Sequence, residues 1–275
     1  MQQNVSGRHQ INLKILIGTV ILLVLIITAV FAPQLAQSDP NEADPIHTFI
    51  PPGKEHLMGT DNIGRDIWSR FCYGGRVSLL IGVVAMLIGT VLGSLIGVIA
   101  GFYGSWVDSV LSWFTEVLMA FPGILLALSI MAILGPGLGN VMAAVGIASV
   151  PQYMRMARSS VMKAREMDYV EAARCIGGTD ARILFRHILP NIIRPLIVLA
   201  TLGIGSAILE GASLSFLGLG AQPMTPEWGA MLSSGRQFLR NAWWISVFPG
   251  IGVFLVILSI NFIGEGLGEV MDRTD

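Results

Sequence analysis

The stretch EAARCIGGTDARILFRHILPN, residues 171–191, is rich in charged side chains and lies between two long apolar runs. Its setting is that of a membrane protein. Of the 275 residues, 53% are hydrophobic and only 13% are charged, whereas a soluble domain carries about a quarter charged residues. The stretch therefore predicts a segment outside the bilayer that joins two membrane spans.

Two short helices around a glycine bend are predicted for this segment. The first is expected over residues 169–176, with Asp168 as its N-cap. The glycine pair at 177–178 ends it, because glycine tolerates the left-handed backbone conformation. Thr179 is the predicted N-cap of a second helix over 180–189. The apolar side chains of the segment require a partner surface, either the rest of the bundle or another protein.

An all-α polytopic membrane protein with six spans is predicted from the apolar runs, since a span needs about twenty mostly apolar residues. The Phe121-Pro122 pair is predicted to open or kink the third span. The six runs are 15–32, 77–101, 107–134, 138–154, 195–219 and 242–264.

The distribution of basic residues predicts the orientation, because Lys and Arg gather on the cytoplasmic side of a membrane. With both termini in the cytoplasm, eleven of the seventeen Lys and Arg residues fall in inner segments.

The net charge of −1 gives no electrostatic reason to expect nucleic acid as a partner. Cys72 and Cys175 lie far apart and match neither a metal-binding nor a disulfide pattern, so no metal site is predicted.

Two sets of residues inside the spans are candidates for special roles. Glu116 and Glu210 are carboxylates in apolar runs, where charge is costly. One hypothesis for each carboxylate is a structural role, either an ion pair (for Glu116, with an arginine of the inner loop) or a hydrogen bond. The alternatives are a place along a transport pathway and a proton relay. Glycine also recurs every four residues along the second span, which predicts close helix packing. The glycines of that face are Gly89, Gly93, Gly97 and Gly101.

The charged stretch carries a recognisable motif. Glu171-Ala172-Ala173 is followed after three residues by Gly177, and after a further interval by Leu189-Pro190. This spacing resembles the cytoplasmic signature of ATP-binding-cassette (ABC) importer permeases. His187 stands where that family usually has Ile, which we interpret as a subfamily variant.

Further stretches resemble the dipeptide, oligopeptide and nickel permeases within that family. They identify the chain as the C-type member of a permease pair with the type I importer fold. The stretches are GTDNIGRD at 59–66, SR at 69–70, GRVSL at 75–79, LSFLGLG at 214–220 and PEWG at 226–229.

The resemblance implies a coupling helix that docks on a cytoplasmic ATPase. It also implies four kinds of partner: a second homologous permease, two ABC ATPase subunits, an extracytoplasmic substrate-binding protein, and the lipid bilayer of the bacterial cytoplasmic (inner) membrane. ATP and Mg²⁺ would bind those ATPases, because this chain lacks a phosphate loop; we expect no cofactor on the chain and no enzymatic activity. The coupling residues are Glu171, Ala172, Ala173, Gly177, His187, Leu189 and Pro190.

Three regions are expected from these arguments. Residues 1–74 would hold the first span, an extracytoplasmic loop and an interfacial segment near 64–73. Residues 75–268 would form the permease core, with the coupling loop at about 155–194, and 269–275 a cytoplasmic tail. Di- or oligopeptides are the expected substrates. Nickel, a metal chelate or glutathione is the alternative, and a secondary transporter is a remote one.

Overall fold

The computed structural model describes residues 5–222 and 224–272, with side chains over 13–222 and 224–271, and its regular elements there are helices. In chain order they are α1 (Val5–Val30), α2 (Ala32–Leu35), α3 (Ile67–Tyr103), α4 (Ser105–Met119), α5 (Gly123–Leu134), α6 (Leu138–Arg165), α7 (Asp168–Cys175), α8 (Asp180–Ile183), α9 (Leu189–Phe216), α10 (Trp228–Gly235) and α11 (Trp244–Asp272). A π-helical turn, Leu184–Ile188, joins α8 to α9, and a 3₁₀ turn, Arg236–Phe238, follows α10. The all-α prediction is confirmed.

Four helical stretches among the described residues are both long enough and apolar enough to cross a membrane. They are Leu13–Val30, Ile67–Tyr103, Asp180–Phe216 and Trp244–Met271. The pair α4 and α5 forms a fifth if it is counted as one span, and it is bent by 94°. The bend falls at Phe121-Pro122, as predicted.

The predicted fourth span lies on α6, which is less apolar than the other candidates and continues to Arg165. The count of six spans and the cytoplasmic location of both termini therefore stay predictions. Arg8 and Arg273, which contribute to the charge bias, lie outside the described side chains. Part of the predicted tail is helical, because α11 extends to Asp272.

Glycine makes the contact between α3 and α6 close. The predicted glycine face of α3 is buried against α6. A Cβ atom on Gly93 would lie 2.6 Å from the carbonyl oxygen of Val150, and one on Gly101 would lie 2.8 Å from that of Arg158. A Cβ atom on Gly97 would meet the carbonyl oxygen of Met154, whereas the nearest atom to one on Gly89 is the Ser149 side-chain hydroxyl. Because the nearest neighbours of Gly93, Gly97 and Gly101 are backbone atoms, a side chain at these three positions would push the two helices apart.

The predicted interfacial segment at 64–73 is not a separate element, and its place relative to the membrane stays a prediction. Residues from Ile67 onward are the first turns of α3, so the boundary predicted at 74/75 falls inside that helix. Ile67 and Phe71 are buried in a core cluster that also contains Trp228. The amphipathic pattern is real, but its apolar face packs on protein instead of lipid.

The neighbouring ends of α3, α10 and α11 are joined by buried polar contacts. Glu227 caps α10 and accepts hydrogen bonds from the backbone N–H groups of Gly229 and Ala230, both at 2.8 Å. The Ser78 hydroxyl on α3 donates to the same carboxylate at 3.1 Å. The indole N–H of Trp244, at the start of α11, donates to the carbonyl oxygen of Thr60 at 3.0 Å. These bonds hold the segment 33–66 and the neighbouring ends of α3, α10 and α11 together.

Candidate functional site: the segment between α6 and α9

Most of the predicted coupling loop at 155–194 is helical. Helix α6 continues to Arg165, and α9 begins at Leu189 directly after α8 and the π-helical turn. Only short connections at 166–167 and 176–179 interrupt the helices. The charges of this region mark where the helices leave the apolar part of the protein; they do not mark where the helices end.

Helix α7 carries the Glu-Ala-Ala motif. Its N-cap is Met167, and no side chain caps the helix there, so the prediction that Asp168 is the N-cap is wrong. Asp168 and Glu171 lie instead in the first turn. Their negative charges face the positive end of the helix dipole, which stabilises a short helix.

Gly177 reverses the chain after α7. Its φ angle is +83°. The N–H of Gly178 donates to the carbonyl oxygen of Ala173, and the N–H of Gly177 donates to that of Arg174, both at 2.9 Å. This pair of bonds is the Schellman motif. The Thr179 hydroxyl then accepts a hydrogen bond from the backbone N–H of Arg182 at 3.4 Å, which confirms the predicted cap of the next helix.

The apolar residues of the segment divide between two surfaces. One set is buried in a cluster that also contains residues of α3, α6 and α9; it comprises Val170, Ala173, Ile183 and Ile188. The other set points outward: Ile176 is 88% exposed and Phe185 is 68% exposed. The first surface fixes the segment on the bundle, and the second leaves an apolar patch on either side of the glycine bend.

The remaining motif residues lie on both surfaces. Ala173 is buried, His187 and Leu189 are half-buried, and the other members are exposed.

Two residues that the sequence reasoning missed link the start of α9 to α7. The Asn191 amide donates to the carbonyl oxygen of His187 at 2.6 Å and to the Tyr169 hydroxyl at 3.1 Å.

A shallow depression of about 340 Å³ opens beside α7. It is lined by Arg165, Glu166, Glu171, Arg174 and Cys175. Charges of both signs alternate around an open rim, which suits contact with a protein surface better than enclosure of a small molecule.

The two intramembrane carboxylates have different surroundings. Glu116 is exposed on α4, and Arg158 of the predicted inner loop pairs with Asp108. The ion pair of Glu116 with an inner-loop arginine stays a prediction. Glu210 is half-buried on α9. One of its carboxylate oxygens lies 3.5 Å from where a Cβ atom on Gly123 would be. Glu210 therefore sits beside the break between α4 and α5.

The outer histidines are engaged by carboxylates. His47 Nδ1 lies 2.6 Å from an Asp44 carboxylate oxygen, and His56 Nδ1 lies 3.0 Å from an oxygen of Asp66. The hydrogen bond that the His47 ring donates to the Asp44 carboxylate raises the pKa of His47 above its ordinary value. Among the described residues, no group of three or more His, Cys, Asp or Glu side chains is arranged to hold a metal ion.

The fold defines the class of protein. It is similar to a chain of the inward-facing MetNI methionine ABC transporter, with a TM-score of 0.58 and 21% identity over 71% of this chain and 93% of that one. It is also similar to a chain of an amino acid ABC transporter, with a TM-score of 0.53 and 18% identity over 71% and 90%. At these identities the likeness concerns the fold alone, and it confirms the predicted type I ABC importer permease fold.

The family follows from the sequence. Residues 93–274 match the family described as "binding-protein-dependent transport system inner membrane component", and residues 15–52 match the "N-terminal TM domain of oligopeptide transport permease C". The chain belongs to the family of binding-protein-dependent transport system inner membrane components. It is a permease subunit and a multi-pass protein of the bacterial inner membrane, as predicted.

Three relatives are similar over almost the whole chain. The dipeptide transport system permease DppC of Alkalihalophilus pseudofirmus is 46% identical over 95% of this chain and 86% of its own length. The di/tripeptide permease DppC of Pseudomonas aeruginosa is 42% identical over 93% and 86%. The dipeptide permease DppC of Escherichia coli is 43% identical over 95% and 89%.

Proposed function

We propose that this permease subunit imports dipeptides or short oligopeptides by alternating access, driven by ATP hydrolysis on separate subunits. The observation that carries the proposal is the segment between α6 and α9: a short helix, fixed on the bundle by its buried face, that presents an apolar patch around a glycine bend. The names of the relatives, which are dipeptide and di/tripeptide permeases, support the substrate class.

The exposed patch is the proposed dock for an ABC ATPase. Ile176 and Phe185 flank the bend at Gly177, and large exposed apolar side chains are uncommon without a partner. Glu171 and the charged depression beside it would give the dock its orientation, because charge pairs across an interface fix register more than they add affinity. Force from the ATPase would reach the bundle, since α7 is packed onto it through Val170 and Ala173.

The complete transporter on this proposal contains a second permease, two ATPases and an extracytoplasmic binding protein. ATP and Mg²⁺ bind the ATPases, and this chain catalyses no reaction. The folded segment 33–66, held by contacts such as that between Trp244 and Thr60, offers the binding protein an ordered surface on the outer side.

Glu210 is the proposed pathway residue. It lies beside the break between α4 and α5, where helix ends interrupt the apolar surface. A carboxylate at that depth is costly unless it has a role or a partner. The amino terminus of a peptide is positively charged, so Glu210 would attract it as it passes.

Peptides are favoured over nickel by the printed names of the relatives, which are dipeptide and di/tripeptide permeases.

Uptake by cells with and without this chain tests the proposal. Radiolabelled dipeptide and nickel are supplied in parallel, and the deletion strain is complemented with the wild-type gene. The proposal expects deletion to abolish dipeptide uptake and to leave nickel uptake unchanged. Loss of nickel uptake alone would overturn the proposed substrate.

A further inference from the structure

The turn between α3 and α4 is tight and unusual in its backbone. Gly104 and Ser105 both have positive φ angles, +63° and +53°. Such a conformation is uncommon for serine, so the surrounding contacts must hold it. Helix α4 begins at Ser105, and Asp108 lies in its first turn. We call residues 101–108 the elbow.

Two arginines of α6 hold the elbow from either side. Arg158 binds the Asp108 carboxylate with two groups: its Nη2 lies 2.7 Å from Oδ2, and its Nε donates to Oδ1. Arg165 Nη1 donates to the carbonyl oxygen of Phe102 at 2.9 Å and to that of Gly101 at 3.4 Å. The two arginines are seven residues apart, so they lie on one face of α6. Arg158 thus binds the first turn of α4, and Arg165 binds the end of α3.

The Asp108–Arg158 ion pair has a geometry that makes it strong for a partly buried site. A two-point contact between guanidinium and carboxylate fixes direction as well as distance. The side chain of Asp108 is 17% exposed and that of Arg158 is 31% exposed, so water screens the pair only in part. The Ser112 hydroxyl donates to the same carboxylate at 3.1 Å.

Helix α4 depends on this contact more than the other long helices do. In α4, all of which the structure describes, Thr115 is the one buried residue. Trp106 and Trp113 are 73% and 62% exposed. Because so little of α4 is packed in the bundle, the Asp108–Arg158 pair is the main polar contact between the first turn of α4 and α6.

The part of α6 that carries the arginines leads straight into the proposed ATPase dock. Helix α7 starts at Asp168, after the short connection at 166–167. Val161 and Ala164 of α6 pack in the same cluster as Val170 and Ala173 of α7. A displacement of α7 therefore moves the inner end of α6 with it.

We propose that Arg158 and Arg165 are positioning residues that transmit movement of α7 to the elbow, and so to the bent pair α4 and α5. This inference rests on the proposed function, because it takes α7 to be the ATPase dock. In this arrangement the ATPase does not need to touch α4 to move it. The elbow follows the inner end of α6, and the break beside Glu210 opens or closes with it.

The test uses the full transporter in proteoliposomes: both permeases, both ATPases and the binding protein. ATP hydrolysis and labelled dipeptide uptake are measured in the same vesicles, and their ratio is the readout. Asp108→Ala and Arg158→Ala are each expected to lower uptake per ATP about fivefold, a typical effect for a position that carries coupling between sites. Arg155→Ala is the matched control, because Arg155 is exposed and lies about one turn away on α6; it is expected to keep the wild-type ratio.

The exchange variant, Asp108→Arg with Arg158→Asp, is expected to recover part of the ratio. If the pair only stabilises the fold, the single variants will yield less assembled transporter but the same uptake per ATP, and the inference is overturned. Should the alanine variants fail to assemble, Arg158→Lys keeps the charge and loses the two-point geometry. That variant is expected to assemble with a lowered ratio, and a wild-type ratio would overturn the inference. A wild-type transporter without ATP-dependent dipeptide uptake would instead contradict the proposed function.

Discussion

Replacement of Gly177 by alanine tests the ATPase dock at a single backbone position. Gly177 has a φ angle of +83°, and an added Cβ atom would meet nothing within 4 Å. The cost of alanine is therefore backbone strain without a steric clash, about 1–2 kcal/mol for an L-residue in the left-handed region. The segment between α6 and α9 can relieve this strain when it is free, but not when it is bound to the ATPase. Affinity for the ATPase then falls about 5- to 30-fold, since 1.4 kcal/mol corresponds to a factor of ten.

Gly218 provides a control with the same backbone geometry at the other end of α9. Its φ angle is +85°, and a Cβ atom there would also meet nothing within 4 Å. The N–H of Gly218 donates to Ser215 at 2.9 Å and that of Leu219 to Leu214 at 3.0 Å, which repeats the Schellman motif of Gly177. Gly218→Ala should thus introduce the same backbone strain while leaving the dock unchanged.

The assay is titration of the purified ATPase against the permease pair in nanodiscs, followed by fluorescence anisotropy. Gly177→Ala should weaken binding and Gly218→Ala should not. Gly218→Ala should lower the melting temperature of the permease pair more than Gly177→Ala does, because the free segment around residue 177 relaxes its strain. Gly177→Asn should recover most of the affinity, because asparagine tolerates the left-handed conformation. Wild-type affinity for Gly177→Ala would refute the reasoning that the dock needs this chain reversal.

Three further outcomes are expected. Gly93→Leu should destabilise the protein by about 3 kcal/mol, because its side chain would meet the backbone of α6. Gly139→Leu should not, because a Cβ atom there meets nothing within 4 Å. Equal thermal shifts for the two variants would contradict the close packing of α3 on α6. Glu227→Ala should cost about 2 kcal/mol, because it removes the cap of α10 and leaves the proton of the buried Ser78 hydroxyl on α3 without its acceptor; unfolding in detergent with an unchanged midpoint would count against this. Glu171→Lys should reduce co-purification of the ATPase, whereas the same charge reversal at the exposed outer residue Glu42 should not; equal yields for both variants would remove Glu171 from the dock.

The features of the fold that depend on local chemistry were predictable. A glycine at every fourth position has few uses in a membrane helix other than close packing, and α3 packs on α6 through that face. Pro122 cannot continue a helix without losing a hydrogen bond, and the bend between α4 and α5 falls there. Thr179 caps α8 because a hydroxyl before a helical run satisfies a free N–H.

Other features depend on partners far along the chain, and the sequence did not reveal them. The amphipathic pattern around Ile67 and Phe71 looks the same whether it faces lipid or Trp228, so its protein partner was not predicted. The Asp108–Arg158 pair joins residues fifty positions apart, and neither belongs to a motif. The charged run at 155–165 led to the prediction of a loop. Charged residues indicate where the chain leaves the membrane, but they do not indicate where the helix ends.

The native cysteines allow the most direct test of the central claim, that the segment between α6 and α9 faces the cytoplasm and docks an ATPase. Cys175 is exposed at the end of α7, and Cys72 is buried, so a membrane-impermeant maleimide should label Cys175 selectively. Labelling is measured in inside-out vesicles with and without the ATPase subunits, and in right-side-out vesicles. The account predicts labelling only in inside-out vesicles, with strong protection when the ATPases are present. Labelling from the outer side, or equal labelling with and without the ATPases, would contradict it.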